Sequence, residues 1–146
     1  MNVSVNHSAP VYHSEEITIN APVEQVWDIL TKIDEWPEWQ AAVSEARLEG
    51  SLREGATFKW KAAGTSLTSQ IHTIRQYREF GWTGKAIGTS AVHNWYFADL
   101  GGQTKLRVEE SLEGFLPKLL KGFFQKTLAK GMRTNLEELK HEAENP

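Results

Sequence analysis

The chain predicts an α+β fold in which a curved antiparallel sheet of roughly seven strands wraps around one long C-terminal helix, with two short helices after the first strand. Three observations carry that expectation. Leu116, Leu120, Phe123, Phe124, Thr127, Leu128, Met132, Leu136 and Leu139 recur at helical spacing, with mostly charged residues between them. A series of strand-like runs precedes this stripe, punctuated by Gly50, Gly55, Gly64, Gly88, Gly101 and Gly102. The joins are too short for parallel crossovers, so consecutive strands pair as hairpins. A helix of that length reaches roughly 35 Å, enough to cross a small domain. Its apolar face is therefore expected along the sheet, and a cavity held between helix and sheet is where function is sought.

Each element follows from local chemistry. Met1 to Pro10 is polar and is expected to fray. Tyr12 to Ile19 reads as the first strand, with Ile17 and Ile19 on one face, and ends at Asn20-Ala21-Pro22, where a capping residue and a proline announce a helix. Val23, Val26, Trp27 and Leu30 form that helix's apolar face. Ile33 to Trp39 reads as a second brief helix or turn, because Pro37 cannot sit deep inside a longer one. Strands are expected near Val43 to Glu49, Ala56 to Ala62, Leu67 to Gln76, Glu79 to Ala86, Ser90 to Leu100 and Gln103 to Leu112. No repeat or linker divides the chain, which leaves one domain over residues 11–141 and a short tail over 142–146.

Composition narrows the function classes. A chain of 146 residues, 40% hydrophobic with six Trp and six Phe, can bury a substantial core as one domain. Its net charge of −3 and interspersed basic residues give no footprint for a nucleic-acid backbone. The absence of cysteine excludes disulfides, thiolate zinc sites and a cysteine nucleophile. The N-terminus has neither a basic start nor an apolar run, and no stretch is long and apolar enough to span a bilayer. A cytoplasmic monomer or homodimer without integral membrane association is expected.

Strand alternation orients the candidate site residues. Phe58, Trp60 and Ala62 share one face and Thr57, Lys59 and Lys61 the other, so Phe58 and Trp60 point inward. Gly101-Gly102 is a two-residue turn signal, and a register centred there pairs Phe97 with Leu106, Trp95 with Val108 and His93 with Glu110. Leu106, Val108 and Leu112 alternate with Lys105, Arg107 and Ser111, so the apolar set faces inward and Glu110 belongs to it. An inward carboxylate beside an imidazole must be paired, hydrogen-bonded or protonated. The pair could anchor structure, orient a ligand, or exchange a proton with a ligand carbonyl or hydroxyl. Trp36, Trp39, Trp60, Trp82 and Trp95 offer an aromatic lining, with Trp36 and Trp39 expected at the pocket mouth. Phe124, Leu128 and Met132 are the cavity-facing residues expected from the helix; Gly122 and Gly131 lower its propensity and allow close approach or a slight bend.

Other constellations fail. His7, His13, His72, His93 and His141 show no metal-ligand spacing, and Gly81-Trp82-Thr83-Gly84-Lys85 lacks the rest of a phosphate loop. No Gly-x-Ser-x-Gly elbow occurs. Neither a metal nor an organic cofactor is expected.

The order strand, two short helices, six strands, long helix resembles the helix-grip fold of the START-like or SRPBCC superfamily, particularly its polyketide cyclase/dehydrase-like branch, over Tyr12 to Leu139. Ile17 through Trp27 looks like the family's opening strand, Ala-Pro turn and first helix, and Asp34 through Trp39 like the Trp-Pro-x-Trp segment that follows. Gly102 through Leu106 resembles the Gly-x-Thr start of the last strand, and Glu110 through Gly114 its exit. The resemblance implies a deep pocket between sheet and last helix that holds lipids, polyketides or other apolar molecules. Some members catalyse cyclisation or dehydration, and others bind and carry. Three functions thus stay open: a binding protein, a cyclase or dehydratase using His93 and Glu110, and a co-chaperone or regulatory protein acting through an exposed apolar patch, for instance around Trp36 and Trp39.

Overall fold

The computed structural model describes residues 2–146. Strand β1 (Val11–Ile19) leads into helix α1 (Val23–Thr31) and a 3-10 helix (Ile33–Glu38). Six strands follow: β2 (Val43–Leu48), β3 (Thr57–Ala62), β4 (Thr65–Arg75), β5 (Glu79–Ala86), β6 (Thr89–Asp99) and β7 (Thr104–Glu113). The chain closes with the one-turn helix α2 (Phe115–Leu119) and the long helix α3 (Lys121–Glu144). The seven strands form one antiparallel sheet in the order β1-β7-β6-β5-β4-β3-β2, so the two short helices carry the chain from one sheet edge to the other.

The register between β6 and β7 is the one the glycine pair dictates. Gly101 and Gly102 both have positive φ, +76° and +95°, as a tight hairpin turn of this kind requires, and His93 lies opposite Glu110. Two helices then cover different parts of the concave face. Trp27 of α1 packs edge-on against Phe80 and Phe97, with ring centroids 5.9 and 5.1 Å apart, and fills one end. From Met132 onward α3 buries Met132, Leu136, Leu139 and Ala143. Polar clips run along its length to β1: Gln125 Nε2 donates to the Tyr12 carbonyl (2.8 Å), Arg133 pairs with Glu15, and Lys140 Nζ donates to the Thr18 carbonyl (3.0 Å).

Three expectations need correction. The apolar stripe is not one helix from Leu116 to Leu139. It breaks at Leu120 (φ −115°, ψ 43°), after a turn containing Pro117, and the helix beyond reaches Glu144 rather than ending before a tail at 142. Only α3 from Met132 onward packs as core. Residues 2–10 of the N-terminal tail are docked on the sheet rather than frayed. Val5 is buried, the Val3 amide donates to His72 Nδ1 (3.2 Å), Asn94 Nδ2 donates to the Val3 carbonyl (2.8 Å), and the Asn6 amide donates to Ser111 Oγ (3.1 Å). Polar side chains on the sheet's convex face thus satisfy the tail's backbone, a docking that no hydrophobic periodicity announces. Trp36, expected at a mouth, is 1% exposed.

Candidate ligand-binding site

Because α3 before Met132 is clipped to edge strand β1 but buries no side chain fully against the concave face, a cavity of about 690 Å³ lies beneath it. That volume falls within the range of small-molecule sites, roughly 300–1,000 Å³. Its floor is the concave face: Trp60 and Ala62 of β3, Trp82 of β5, His93 and Trp95 of β6, and Val108, Glu110 and Leu112 of β7. Its roof is Phe124, Leu128, Gly131 and Met132 of α3. Leu30 and Trp36 close the back. One rim is polar: Asn135 Nδ2 donates to Gln40 Oε1 (2.7 Å), and Glu138 Oε2 accepts from the Ala41 amide (2.9 Å).

The indoles form a connected wall. Trp36 meets Trp60 edge-on at 5.2 Å and lies 5.4 Å from Trp82, and its own Nε1 donates to the Leu30 carbonyl (2.9 Å). That carbonyl is in the last turn of α1, where intrahelical partners run out, so Trp36 caps one element while packing another. Trp60 Nε1 donates to Ser69 Oγ (3.0 Å).

In this apolar surround stands one imidazole–carboxylate pair. His93 Nδ1 lies 2.8 Å from Glu110 Oε1, and both side chains are about 85% buried, at 15% and 16% exposure. The imidazole stacks between Trp82 (4.5 Å, 22°) and Trp95 (5.4 Å, 20°), so its plane is fixed by two indoles and its rotation about that plane by the carboxylate. Glu110 accepts a hydrogen bond from the Nδ1–H, which leaves Nε2 as an acceptor on the neutral ring and a donor on the charged one. His93 Nε2 and Trp95 Nε1 are both buried and have no hydrogen-bond partner among the described residues. Orphaned buried groups of this kind cost about 1–3 kcal/mol each.

Of the residues expected to contact a ligand, Trp60, Trp82, His93, Trp95, Val108, Glu110, Phe124, Leu128 and Met132 line the cavity. Three do not. Phe58 is fully buried against Trp36 and Trp82 (5.5 Å each), and Phe97 is covered by Trp27. Trp39 faces a separate outer groove bordered by Gln25, Ile29 and Lys32 of α1 and its C-terminal flank. Leu112, inward by the same alternation as Glu110, also lines the cavity, although it was not among the expected ligand contacts. The sequence reading missed Gln40, Asn135 and Glu138, which carry no local signal. On the convex face Tyr96 donates to Glu109 (2.9 Å), and burial followed by that carboxylate raises its phenol above the usual value. Among the described residues, no group of three or more His, Asp or Glu is placed to hold a metal ion, and no helix is long and apolar enough to cross a membrane.

Sheet, grip helix and the cavity between them together define a helix-grip protein of the START-like, SRPBCC superfamily. The chain belongs to the family described as polyketide cyclase / dehydrase and lipid transport, which matches residues 11–144. Among solved structures, a hypothetical protein of Helicobacter pylori superposes with a TM-score of 0.84 at 14% identity, covering 98% of both chains. The Zhui aromatase/cyclase of a Streptomyces species superposes at 0.81 and 14% identity, covering 91% of this chain and 93% of that one. The di-domain ARO/CYC StfQ from the steffimycin biosynthetic pathway superposes at 0.75 and 18% identity, covering 90% of this chain and 44% of that one. Such identities establish the shared fold. No match among curated proteins is found.

Proposed function

We propose that the protein binds an apolar or amphipathic small molecule, of lipid, polyketide-like or aromatic character, in the cavity between sheet and α3. The observation that carries this reading is a partly open space of about 690 Å³ walled by indole and aliphatic side chains, with the His93–Glu110 pair as its principal polar feature on the sheet side. A ligand whose oxygen reaches His93 Nε2 or Trp95 Nε1 would satisfy atoms that the protein leaves unpaired. Native mass spectrometry of freshly purified protein, with titration of an environment-sensitive apolar dye, tests it. Saturable dye binding that Leu128→Glu abolishes, with the fold retained, is expected. Absence of saturable binding to the parent protein refutes the reading.

A second reading is a cyclase or dehydratase acting on a polyketide-like carbonyl compound, a reading to which the shared fold of the Streptomyces aromatase/cyclase lends support. What favours it here is the 2.8 Å contact on one side of the imidazole and an unpartnered nitrogen on the other. In that chemistry His93 Nε2 takes a proton from the carbon beside the carbonyl, Glu110 stabilises the imidazolium, and the same proton leaves with a β-hydroxyl as water. Glu110→Gln should then abolish turnover while leaving affinity nearly intact, since shape persists and the charge does not. If the pair only orients ligand, affinity falls instead.

A further inference from the structure

An exposed apolar tip stands beside the cavity, and nothing in the binding reading uses it. Ile87, Phe115, Leu119, Leu120 and Phe123 are 83, 65, 75, 46 and 66% exposed. They come from three segments that touch. The Leu116 amide donates to the Gly88 carbonyl (3.2 Å), and a Cβ at Gly88 would lie 2.8 Å from the Phe115 ring, so the β5–β6 hairpin tip sits against α2. Phe123 opens α3 and lies 5.7 Å from Phe124, which lines the cavity. Apolar surface therefore runs from solvent to the cavity wall.

Charge at this end is mostly basic, with Glu113 at the end of β7 as the flanking acid. Between Glu113 and Glu137 the chain carries Lys118, Lys121, Lys126, Lys130 and Arg133 and no acid, although the whole chain is net −3. Lys85 adds an exposed cation next to the hairpin tip. The far end of α3 instead carries Glu137, Glu138, Glu142 and Glu144. Each segment of the tip thus pairs projecting apolar side chains with lysine, the composition of a surface that lies in a headgroup layer. The shape is a convex set of tips rather than a groove, which suits a deformable surface better than a helix or strand of a protein partner.

We propose that α2, the first turn of α3 and the β5–β6 hairpin tip dock on the surface of a lipid bilayer carrying anionic headgroups, with the cavity's Phe124 end facing the lipid. The docking stands independently of what the cavity holds. Phe115, Leu119 and Phe123 enter the headgroup and upper acyl region, and Lys85, Lys118 and Lys121 meet the phosphates. Because these side chains are already exposed, altering them leaves the core untouched.

Co-sedimentation of the full chain with vesicles tests this, comparing phosphatidylcholine alone with phosphatidylcholine containing phosphatidylglycerol. Partitioning onto anionic vesicles, weak on neutral ones and falling with salt, is expected. The Lys118→Ala and Lys121→Ala pair should weaken it about 25-fold, at roughly five-fold per lysine. Leu119→Ser with Phe123→Ser should weaken it about tenfold or more, with unchanged dye affinity in the cavity. Leu52→Ser, an exposed apolar residue on the β2–β3 connection, should change nothing. No partitioning onto anionic vesicles overturns the proposal, as does equal loss in the Leu52 variant. Sedimentation velocity showing a dimer that Leu119→Ser and Phe123→Ser dissolve also overturns it, by assigning the tip to a second copy.

Discussion

Removing the indole of Trp36 should destabilise the whole protein, although the residue sits in a short, proline-interrupted segment. Trp36 is 1% exposed and meets Phe58, Trp60 and Trp82 at 5.5, 5.2 and 5.4 Å. Deleting a buried aromatic side chain costs about 3–5 kcal/mol. Trp36→Ala also leaves the Leu30 carbonyl at the end of α1 without the N–H that reaches it at 2.9 Å, which places the loss toward the upper part of that range. A loss near 4 kcal/mol is a large share of the roughly 5–15 kcal/mol that holds a domain together, and corresponds to about 13 °C in Tm at this size. Urea unfolding followed by fluorescence measures it, with Trp36→Phe separating the two contributions. Phe keeps most of the packing and lacks the donor, so its loss should be about 1–2 kcal/mol. Trp39→Ala, three residues on, half-buried against the edge of the core and facing the outer groove, should cost about 1–2 kcal/mol. Equal, small losses for Trp36→Ala and Trp39→Ala would refute the placement of Trp36 behind the cavity.

Gly81→Ala should cost about 1–3 kcal/mol, because its Cβ would lie 2.5 Å from both Asn94 Oδ1 and His72 Cε1; hydrogen exchange at the Val3 amide, which rests on that cluster, should quicken with it. Thr104→Val should cost about 1–2 kcal/mol in urea unfolding, since the fully buried hydroxyl donates to the Ala21 carbonyl at 2.8 Å and ties β7 to the start of α1. Glu144 accepts from Lys140 and from the Asn20 amide, and these bonds hold its carboxyl below the ordinary value of 4.5. Its contribution is present above that value and is lost as pH falls through the lowered one, so Glu144→Gln should reduce the acid-induced drop in unfolding midpoint and leave a constant deficit at neutral pH.

Much of the fold was legible because it is written locally. Glycines at positive φ mark the hairpins, alternation fixes each strand's face, and a turn at Gly101-Gly102 pins the β6–β7 register. The helix was misjudged for a physical reason. Leu116, Leu120 and Phe124 keep a spacing of four across the break at Leu120, and spacing is blind to a residue whose backbone has left the helical well. The docked tail was invisible because Val3 and Asn6 are held by side chains of His72, Asn94 and Ser111, each distant in sequence.

The cavity divides differently. Phase placed Trp60, Trp95, His93 and Glu110 on the concave face, and they line the space. Phe58 and Phe97 have the same phase and do not, because Trp36 and Trp27 descend on them from the helical segments. Which inward residues stay open is decided by the element opposite, and no strand records that. The roof shows it best at Gly131. In the sequence it reads as a weakness, costing about 1 kcal/mol of helix propensity relative to alanine. In the fold it is a roof position on α3 where a Cβ would meet nothing within 4 Å. Ala62 and Ala63 are similarly small on the opposite wall. Volume beneath the helix is therefore kept by what these positions lack, so a bulky residue at Gly131 would favour the helix while narrowing the space for a ligand.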